Sequence, residues 1–264
     1  MKHTVDLTNT TLLLAAHGSS RPGGDNPVQR LSQRIGVQGL FADVRCGFLK
    51  QAPLLVDVLS GVRTPELIVV PMLSGHGFIT DELIPAALQA VDASTGVRLC
   101  KPIGSHDSIP GIMAERAQSV ITTMKLDRQK VSVLVAAHGN PNNPENSRQV
   151  KVVAKGIEER LEDVAVLSAF IEEAPLISDW PQMTTAENLI VLPLLIGGGM
   201  HGAEDVPKMI DLDPGDPAFD KLDQDTPFVG PLSAHGRSIW FCRTLGNEPG
   251  LSEIVLDLAT SYRS

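Results

Sequence analysis

The feature that most limits what this chain can fold into is an internal repeat. The segment Leu12–Gly18, with the sequence LLLAAHG, returns as VLVAAHG in Val133–Gly139. Three further matches follow in the same order, and the offset stays at 121 or 122 residues: Phe48–Leu54 with Phe170–Leu176, Leu67–Leu73 with Leu189–Leu195, and Ile84-Pro85 with Val206-Pro207. Chance is a poor explanation for four matches in one order, so each half is one copy of an ancestral unit.

The repeat divides the 264 residues into two parts of similar length. The charged stretch Lys125–Lys130 lies at the joint between them. We therefore predict a first unit over residues 1–125 and a second over residues 131–264, each of ordinary size for a domain. Two copies of one unit are expected to share a fold and to be related by a pseudo-two-fold axis.

Within each half, short apolar runs alternate with helical patterns. The runs that we predict to be strands are Leu12–Ala16, Val44–Leu49, Leu67–Leu73 and Val97–Ile103, with counterparts at Val131–Ala137, Val164–Ile171, Leu189–Ile196 and Pro227–Leu232. Runs that are apolar on both faces are typical of parallel strands covered by helices on both sides. The chain is thus predicted to be α/β, with two tandem three-layer α/β/α units and a parallel sheet in each.

The predicted helix starts are marked by a proline that follows an asparagine or an alanine. Asn26-Pro27 and Asn143-Pro144 each place a capping side chain before a proline suited to the first helical turn. Ala52-Pro53 and Ala174-Pro175 are expected to open the second helix of each unit. One segment, Asp211–Thr226, has no equivalent in the first half, and we interpret it as an exposed acidic loop, either a plain surface insertion or a lid.

Net charge, cysteine content and the length of the apolar runs limit the classes of function that the chain could have. The net charge of −9 argues against nucleic acid as a partner, because an acidic surface repels phosphate backbones. The three cysteines, Cys46, Cys100 and Cys242, form no CxxC pair, so we expect reduced thiols in a cytoplasmic protein. The longest apolar run, Leu189–Met200, is shorter than the roughly 20 residues that a membrane span needs.

Four histidines follow predicted strands. His17 and His138 come directly after the first strand of each half, while His76 and His201 lie in the glycine-rich loops after the third strand. Parallel strands all end at one edge of a sheet, and ligands bind there near the point where strand order reverses. If the strand order is 2-1-3-4, His138 and His201 face one cleft, and His17 and His76 its counterpart. Two other histidines, His106 and His235, are expected to precede the last helix of each half.

Carboxylates accompany these histidines. Glu204 and Asp205 follow His201, just before the predicted helix that starts at Val206-Pro207, and the first half has Asp81 and Glu82 in the matching loop. One interpretation is that these acids favour a helix N-terminus. The other is that Glu204 completes a nitrogen and oxygen ligand set for a borderline divalent metal, with Asp205 as the helix cap.

Together, the Ala-Ala-His138-Gly motif and the stretch from Pro193 to Pro207 (PLLIGGGMHGAEDVP) resemble the class II chelatases of the CbiX and SirB type. The similarity covers nearly the whole chain and matches a fused form of two units. It implies that a divalent metal, Co²⁺ or Fe²⁺ and as a further option Ni²⁺, is inserted as a substrate into sirohydrochlorin or a related tetrapyrrole. The resemblance implies no permanently bound cofactor and no membrane, and the fused pseudo-dimer is expected to be a monomer.

The two halves match the family pattern unequally. Eight residues after Pro193 stands His201, whereas eight residues after Pro71 stands Ile79, and His76 comes three residues early. We therefore expect His138, His201 and Glu204 to form the catalytic and metal-binding site. The pair His17 and His76 is expected to be a secondary or degenerate site.

Two alternative functions compete with metal insertion. A non-catalytic tetrapyrrole carrier or metallochaperone would use the same pocket. A phosphoryl-transfer enzyme with an Arg-His-Gly motif is disfavoured because alanine precedes both His17 and His138. The substrate's carboxylates have three candidate partners, Arg21, Arg148 and Arg237, each of which is equally well explained as plain surface.

Overall fold

A computed structural model describes residues 6–18, 26–197, 201–222 and 226–261, with the backbone alone at positions 201 and 203. The chain forms two compact units. Unit 1 comprises Met1–His106 with Gly250–Ser264, and unit 2 comprises Asp107–Pro249.

Unit 1 is built around a parallel sheet of four strands. They are β1 (Thr10–Ala16), β2 (Asp43–Phe48), β3 (Glu66–Pro71) and β4 (Gly96–Leu99), in the order β2-β1-β3-β4. Every residue of β1 is buried, because the central strand is covered on both faces. The flanking helices are α1 (Pro27–Gly36), α2 (Leu55–Ser60) and α3 (Ile84–Ala87), with 3₁₀ turns at Leu88–Ala90 and Ile103–Ser105.

Unit 2 repeats this order and extends it by one strand. The sheet contains β5 (Val131–Ala137), β6 (Ala165–Phe170), β7 (Asn188–Pro193), β8 (Phe228–Ala234) and β9 (Arg237–Cys242), ordered β6-β5-β7-β9-β8. Its helices are α4 (Ile109–Met124), α5 (Pro144–Glu158), α6 (Trp180–Met183) and α7 (Val206–Met209). Short 3₁₀ turns lie at Arg128–Lys130, Ile177–Asp179, Phe219–Lys221 and Leu245–Asn247.

The predicted parallel central sheet is present in both units, and in unit 2 an added edge strand, β8, runs antiparallel to β9. The predicted strand Pro227–Leu232 belongs to this added edge strand, and β9 is the fourth parallel strand. The two strands join through His235-Gly236, whose φ values of 52° and 71° are what a two-residue hairpin turn requires. His235 therefore does not precede a helix, contrary to expectation.

The predicted helix starts are right for one pair of prolines and wrong for the other. Asn26 caps α1 by accepting from the Val28 amide at 2.9 Å, and Asn143 caps α5 in the same way. The bonds Ala52-Pro53 and Ala174-Pro175 are cis and lie in loops. Helix α2 begins only at Leu55, and the 3₁₀ turn before α6 begins at Ile177.

The insertion after Asp211 is only partly the exposed loop that the sequence predicts. Its acidic side chains Asp211, Asp213 and Asp220 are exposed. Its apolar residues pack against the core of unit 2, where the Phe219 ring meets Phe241 edge-on at 5.2 Å between centroids. Residues 223–225 lie outside the described part of the chain.

The compact units do not follow the predicted boundaries at residues 125 and 131. Helix α4, from the first half of the sequence, packs against α5 and β7 in unit 2. The last helix, α8 (Leu251–Thr260), packs against α1 and β3 in unit 1. The two repeats have therefore exchanged their final helices.

A buried ionic cluster connects α4 to the rest of unit 2. The Glu248 carboxylate accepts hydrogen bonds from the Arg116 guanidinium at 3.0 and 2.8 Å and from Arg243 at 3.1 and 2.9 Å. The Arg243 side chain is 2% exposed and that of Glu248 is 7% exposed. Burial alone would raise the Glu248 pKa, but the hydrogen bonds and charges of the two arginines outweigh it and lower the pKa below its ordinary value.

We expect Glu248→Gln to lower the unfolding free energy of unit 2 at neutral pH by about 3–5 kcal/mol, because two guanidinium groups lose their buried counter-charge. A carboxyl group with a lowered pKa stabilises the folded state above its ordinary range, near 4.3, and loses that effect as the pH falls through the lower folded value. The difference between Glu248→Gln and the unmodified chain should therefore shrink below roughly pH 4.

The measurement is urea unfolding followed by tryptophan fluorescence at pH 7 and pH 3. Both tryptophans, Trp180 and Trp240, lie in unit 2, so the signal reports this unit. The matched control is Asp257→Asn in unit 1, where a 63% exposed carboxylate pairs with His106 at 2.9 Å. It should leave the fluorescence transition in place. Equal stability of Glu248→Gln and the unmodified chain at pH 7 would contradict the role of the cluster.

Candidate metal-insertion site

The strand order that the site hypothesis requires is present in both units. Strand β1 pairs with β3 and β5 pairs with β7, all parallel. His17 and His138 leave the sheet directly after β1 and β5, at the centre of the carboxyl edge. This is the point at which successive connections go to opposite sides, where α/β sheets bind ligands.

The glycine after each histidine lets the chain turn sharply off the strand. Gly139 has φ +78° and Gly18 has φ +82°, in the left-handed region. A Cβ atom on Gly139 would lie 2.9 Å from the Phe170 Cβ and 2.9 Å from a Glu173 carboxylate oxygen. The His-Gly pair is thus fixed by backbone conformation and by contact with the neighbouring loop.

The turn also sets the hydrogen bonding of the His138 ring. The ring Nδ1 lies 3.0 Å from the Gly139 carbonyl oxygen, to which it donates if the proton is on Nδ1. In that tautomer Nε2 carries the lone pair. A metal-binding histidine is commonly held in this way, with its other nitrogen donating to a carbonyl or carboxylate.

A carboxylate that sequence analysis missed lies beside this ring. Glu172 donates its backbone amide to the His138 carbonyl at 3.0 Å, and its Oε2 is 3.6 Å from His138 Nδ1. The next residue, Glu173, accepts from the Asn140 amide at 2.7 Å. The available signal was the Glu172-Glu173 pair itself, which stands where the first half has Lys50-Gln51.

The first half has the same backbone and a different charge. His17 Nδ1 lies 3.1 Å from the Gly18 carbonyl oxygen, and the Lys50 amide donates to the His17 carbonyl at 3.0 Å. Gln51 accepts from the Asn26 side-chain amide at 3.3 Å. A lysine thus replaces the glutamate next to the histidine.

A π-helical turn stands after the third strand of each unit, over Ile79–Leu83 and His201–Asp205. Ile79 and His201 occupy the same first position of this turn, which agrees with counting from the strand prolines. His76 lies in the loop before the turn. The His201 side chain is outside the described part of the structure, so its predicted approach to His138 stays a prediction.

The predicted acids of these turns are engaged locally. Glu204 lies 3.2 Å from the Lys208 ammonium, one helical turn onwards. Asp205 precedes α7 but makes no side-chain capping hydrogen bond, so its predicted role as a helix cap is wrong. In unit 1, His76 Nδ1 lies 3.2 Å from Asp81, whose carboxylate also accepts from the Thr80 hydroxyl at 2.9 Å.

Within the described residues, no group of three or more histidines, cysteines or carboxylates is placed to hold a metal ion. The three thiols offer no alternative ligands. Burial raises the pKa of the Cys46, Cys100 and Cys242 thiols, which keeps them protonated at neutral pH.

The remaining candidates have structural partners. His106 and His235 lie 2.9 and 2.6 Å from the carboxylates of Asp257 and Asp211. The Arg237 guanidinium lies over the Trp180 ring and donates to two backbone carbonyls of unit 2. Arg148 pairs with Glu145 on α5, and Arg21 lies outside the described residues. None of the described helices is long and apolar enough to cross a membrane.

Comparison with known proteins identifies the family of the chain. The model of the CbiX family matches residues 11–120 and again residues 132–262. The chain belongs to the CbiX family. The two matches follow the repeat of the sequence rather than the compact units, because the exchanged helices stay with their own half in the alignment.

Individual relatives cover most of the chain. A Halobacterium salinarum protein named probable sirohydrochlorin cobaltochelatase is 27% identical over 94% of this chain and 90% of its own length. The structure of CbiX, the terminal enzyme for biosynthesis of siroheme in denitrifying bacteria, superposes with a TM-score of 0.71 at 23% identity, covering 96% of this chain and 100% of that one.

A larger protein shares the fold. The multi-domain protein DR2241 of Deinococcus radiodurans, described as structurally similar to chelatases, superposes with a TM-score of 0.72 at 22% identity. The alignment covers 97% of this chain but only 56% of that protein, which has two additional domains.

The contacts of Gly139 make a prediction about stability. Gly139→Ala should cost more than the roughly 1–2 kcal/mol of left-handed strain, because its Cβ would also overlap Phe170. The matched control is Gly236→Ala in the same unit, at φ +71° with no atom within 4 Å of the added Cβ. Urea unfolding followed by tryptophan fluorescence should rank Gly139→Ala as clearly less stable. If both variants lost the same stability, the loop after β6 would have to move and make room for the added Cβ without cost.

Proposed function

We propose that this protein inserts a divalent metal, Co²⁺ or Fe²⁺, into sirohydrochlorin or a closely related tetrapyrrole, for cobalamin or siroheme biosynthesis; Ni²⁺ is a further candidate. The observation that carries the proposal is the environment of His138. Its Nδ1 faces a backbone carbonyl and the Glu172 carboxylate, which orients Nε2 as the nitrogen that accepts a metal or a proton. Family membership and the cobaltochelatase relative support the same reaction.

Metallation requires a dehydrated metal ion to enter the ring while two pyrrole N–H protons leave it. Neutral imidazole suits both tasks, since it binds borderline metals and accepts protons near neutral pH. In this scheme His138 and His201 bind the incoming metal or accept the pyrrole protons, and Glu204 is a proton acceptor. The Lys208 ammonium lies 3.2 Å from Glu204 Oε2 and holds that carboxylate in place.

Glu172 is an addition to the set expected from sequence. A carboxylate 3.6 Å from His138 Nδ1 adds a negative charge that attracts a divalent cation to the ring. The metal is a substrate here, so few protein ligands are an advantage, because the ion must leave the protein for the macrocycle.

We expect His138→Ala and His201→Ala each to reduce enzymatic insertion by about 10²-fold or more, the usual loss for a general base. His17→Ala and His76→Ala should reduce it less, because the first half lacks a histidine at the start of its π-helical turn. The measurement is the absorption change of sirohydrochlorin with Co²⁺, corrected for insertion without protein. If the first-half variants are the more damaging, the wrong half has been assigned. Stoichiometric uptake of the macrocycle without turnover would indicate a carrier.

Glu172→Gln should weaken Co²⁺ binding and slow insertion by about 10- to 100-fold, the usual effect of removing a carboxylate that supports a metal-binding histidine. The matched control is Glu187→Gln in the same unit, where a 65% exposed carboxylate pairs with Lys130 at 2.8 Å. Calorimetric titration with Co²⁺ measures the affinity directly. Equal affinities for the two variants would remove Glu172 from the site.

A further inference from the structure

We propose that the first-half loop at His17 and Lys50 is a carboxylate-binding subsite, which holds an acidic side chain of the macrocycle and does not bind the metal. The inference rests on the proposed function and assigns a different task to the second copy of the site. It is carried by the comparison of two loops with matching backbones and opposite charge.

The match between the loops extends to individual hydrogen bonds. In each, the histidine Nδ1 lies 3.0–3.1 Å from the next carbonyl oxygen, and the following glycine has φ near +80°. In each, the amide of Lys50 or Glu172 donates to the histidine carbonyl at 3.0 Å. Because the two backbones are fixed in the same way, the side chains of Lys50 and Glu172 are attached at equivalent positions.

The charge at that place is reversed. In unit 2 the Glu172 carboxylate lies 3.6 Å from the His138 ring, and at the matching backbone position unit 1 has Lys50, whose side chain ends in an ammonium group. A positive charge on this loop repels a divalent cation and attracts an anion. Lys50 is exposed, and among the ion pairs of the described residues none includes it.

The surroundings of Lys50 also favour an anion. Asn26, the N-cap of the ten-residue helix α1, donates to the Gln51 side chain at 3.3 Å, so the positive end of that helix lies beside the loop. The counterpart of Gln51 in the second half is the anionic Glu173. In unit 1 the loop therefore lacks both carboxylates that unit 2 has at these positions.

The same loop also exposes an apolar side chain. Leu54 is 42% exposed and pairs with Phe48 at the end of β2, within the same loop. A ligand with a flat apolar ring and peripheral carboxylates presents both complementary features. A small inorganic anion would use the charge alone.

The test is binding of metal-free sirohydrochlorin, measured by its fluorescence with no metal present. Lys50→Gln should weaken binding about 3- to 10-fold and Lys50→Glu more, as expected for loss and reversal of one partly exposed ion pair. Lys50→Arg should retain the affinity of the unmodified chain. Added NaCl should weaken binding by the unmodified chain more than by Lys50→Gln.

Two comparisons isolate the loop. Lys151→Glu makes the same change of net charge on the exposed surface of α5 and should leave macrocycle binding unchanged. Co²⁺ affinity, measured by calorimetry without macrocycle, should not fall in Lys50→Gln but should fall in Glu172→Gln. This opposite pattern is what division of the two tasks predicts.

The outcomes separate the two proposals. If the unmodified chain binds sirohydrochlorin and inserts Co²⁺, but Lys50→Gln and Lys50→Glu bind the macrocycle equally well, the subsite is overturned and the chelatase proposal stands. If Lys151→Glu weakens binding as much as Lys50→Glu, net charge is the cause and the subsite is again overturned. If the unmodified chain neither binds the macrocycle nor inserts metal, the proposed function itself is wrong.

Discussion

Unit 2 depends on one buried carboxylate held by two guanidinium groups. Glu248 follows β9 and receives Arg243 from the end of that strand and Arg116 from α4. Since α4 comes from the first half of the sequence, this contact joins the end of one repeat to the body of the other. In unit 1 the corresponding contact joins His106 to the exposed carboxylate of Asp257 in α8 at 2.9 Å. In each unit, a side chain of the exchanged helix thus makes a polar contact with the body of that unit.

The strands other than β9 could be predicted because they rest on local signals, most of which occur in both repeats. Continuous apolar runs with turn residues between them indicate buried parallel strands, and Asn-Pro pairs indicate helix starts. The exchange of α4 and α8 could not be predicted, since an apolar stripe shows that a helix is covered but not which sheet covers it. The hairpin at His235-Gly236 was missed because a helix was expected after His235. The apolar residues of β9 fit either assignment until the positive φ angles of the turn are known.

The candidate site also contains residues that could be predicted from the sequence and residues that could not. His138 could be predicted, because a histidine followed by glycine after a central strand is visible in both copies. Glu172 could not be predicted from matching positions, since the repeat is recognised by what the halves share, and this position differs. Glu204 was preferred over Asp205 on the assumption that Asp205 caps α7. That assumption failed because the residue before α7 continues the preceding π-helical turn in helical conformation and cannot cap it.

Fusion of two units into one chain allows the two loops to differ, as they do at Lys50 and Glu172. In a homodimer of a single unit, every substitution appears in both copies, so a carboxylate that attracts the metal is accompanied by an identical one in the partner. Each of these carboxylates attracts a cation and repels an anion. Once the two units share one chain, each loop can change independently, while β1, β5 and the His-Gly turns keep the backbone that both loops need. Charge reversal at one exposed position costs the fold little, because the loop is held by backbone hydrogen bonds and by packing against glycine. The duplicated backbone is therefore under structural constraint, and the side chains that it presents are where the two halves have been free to diverge.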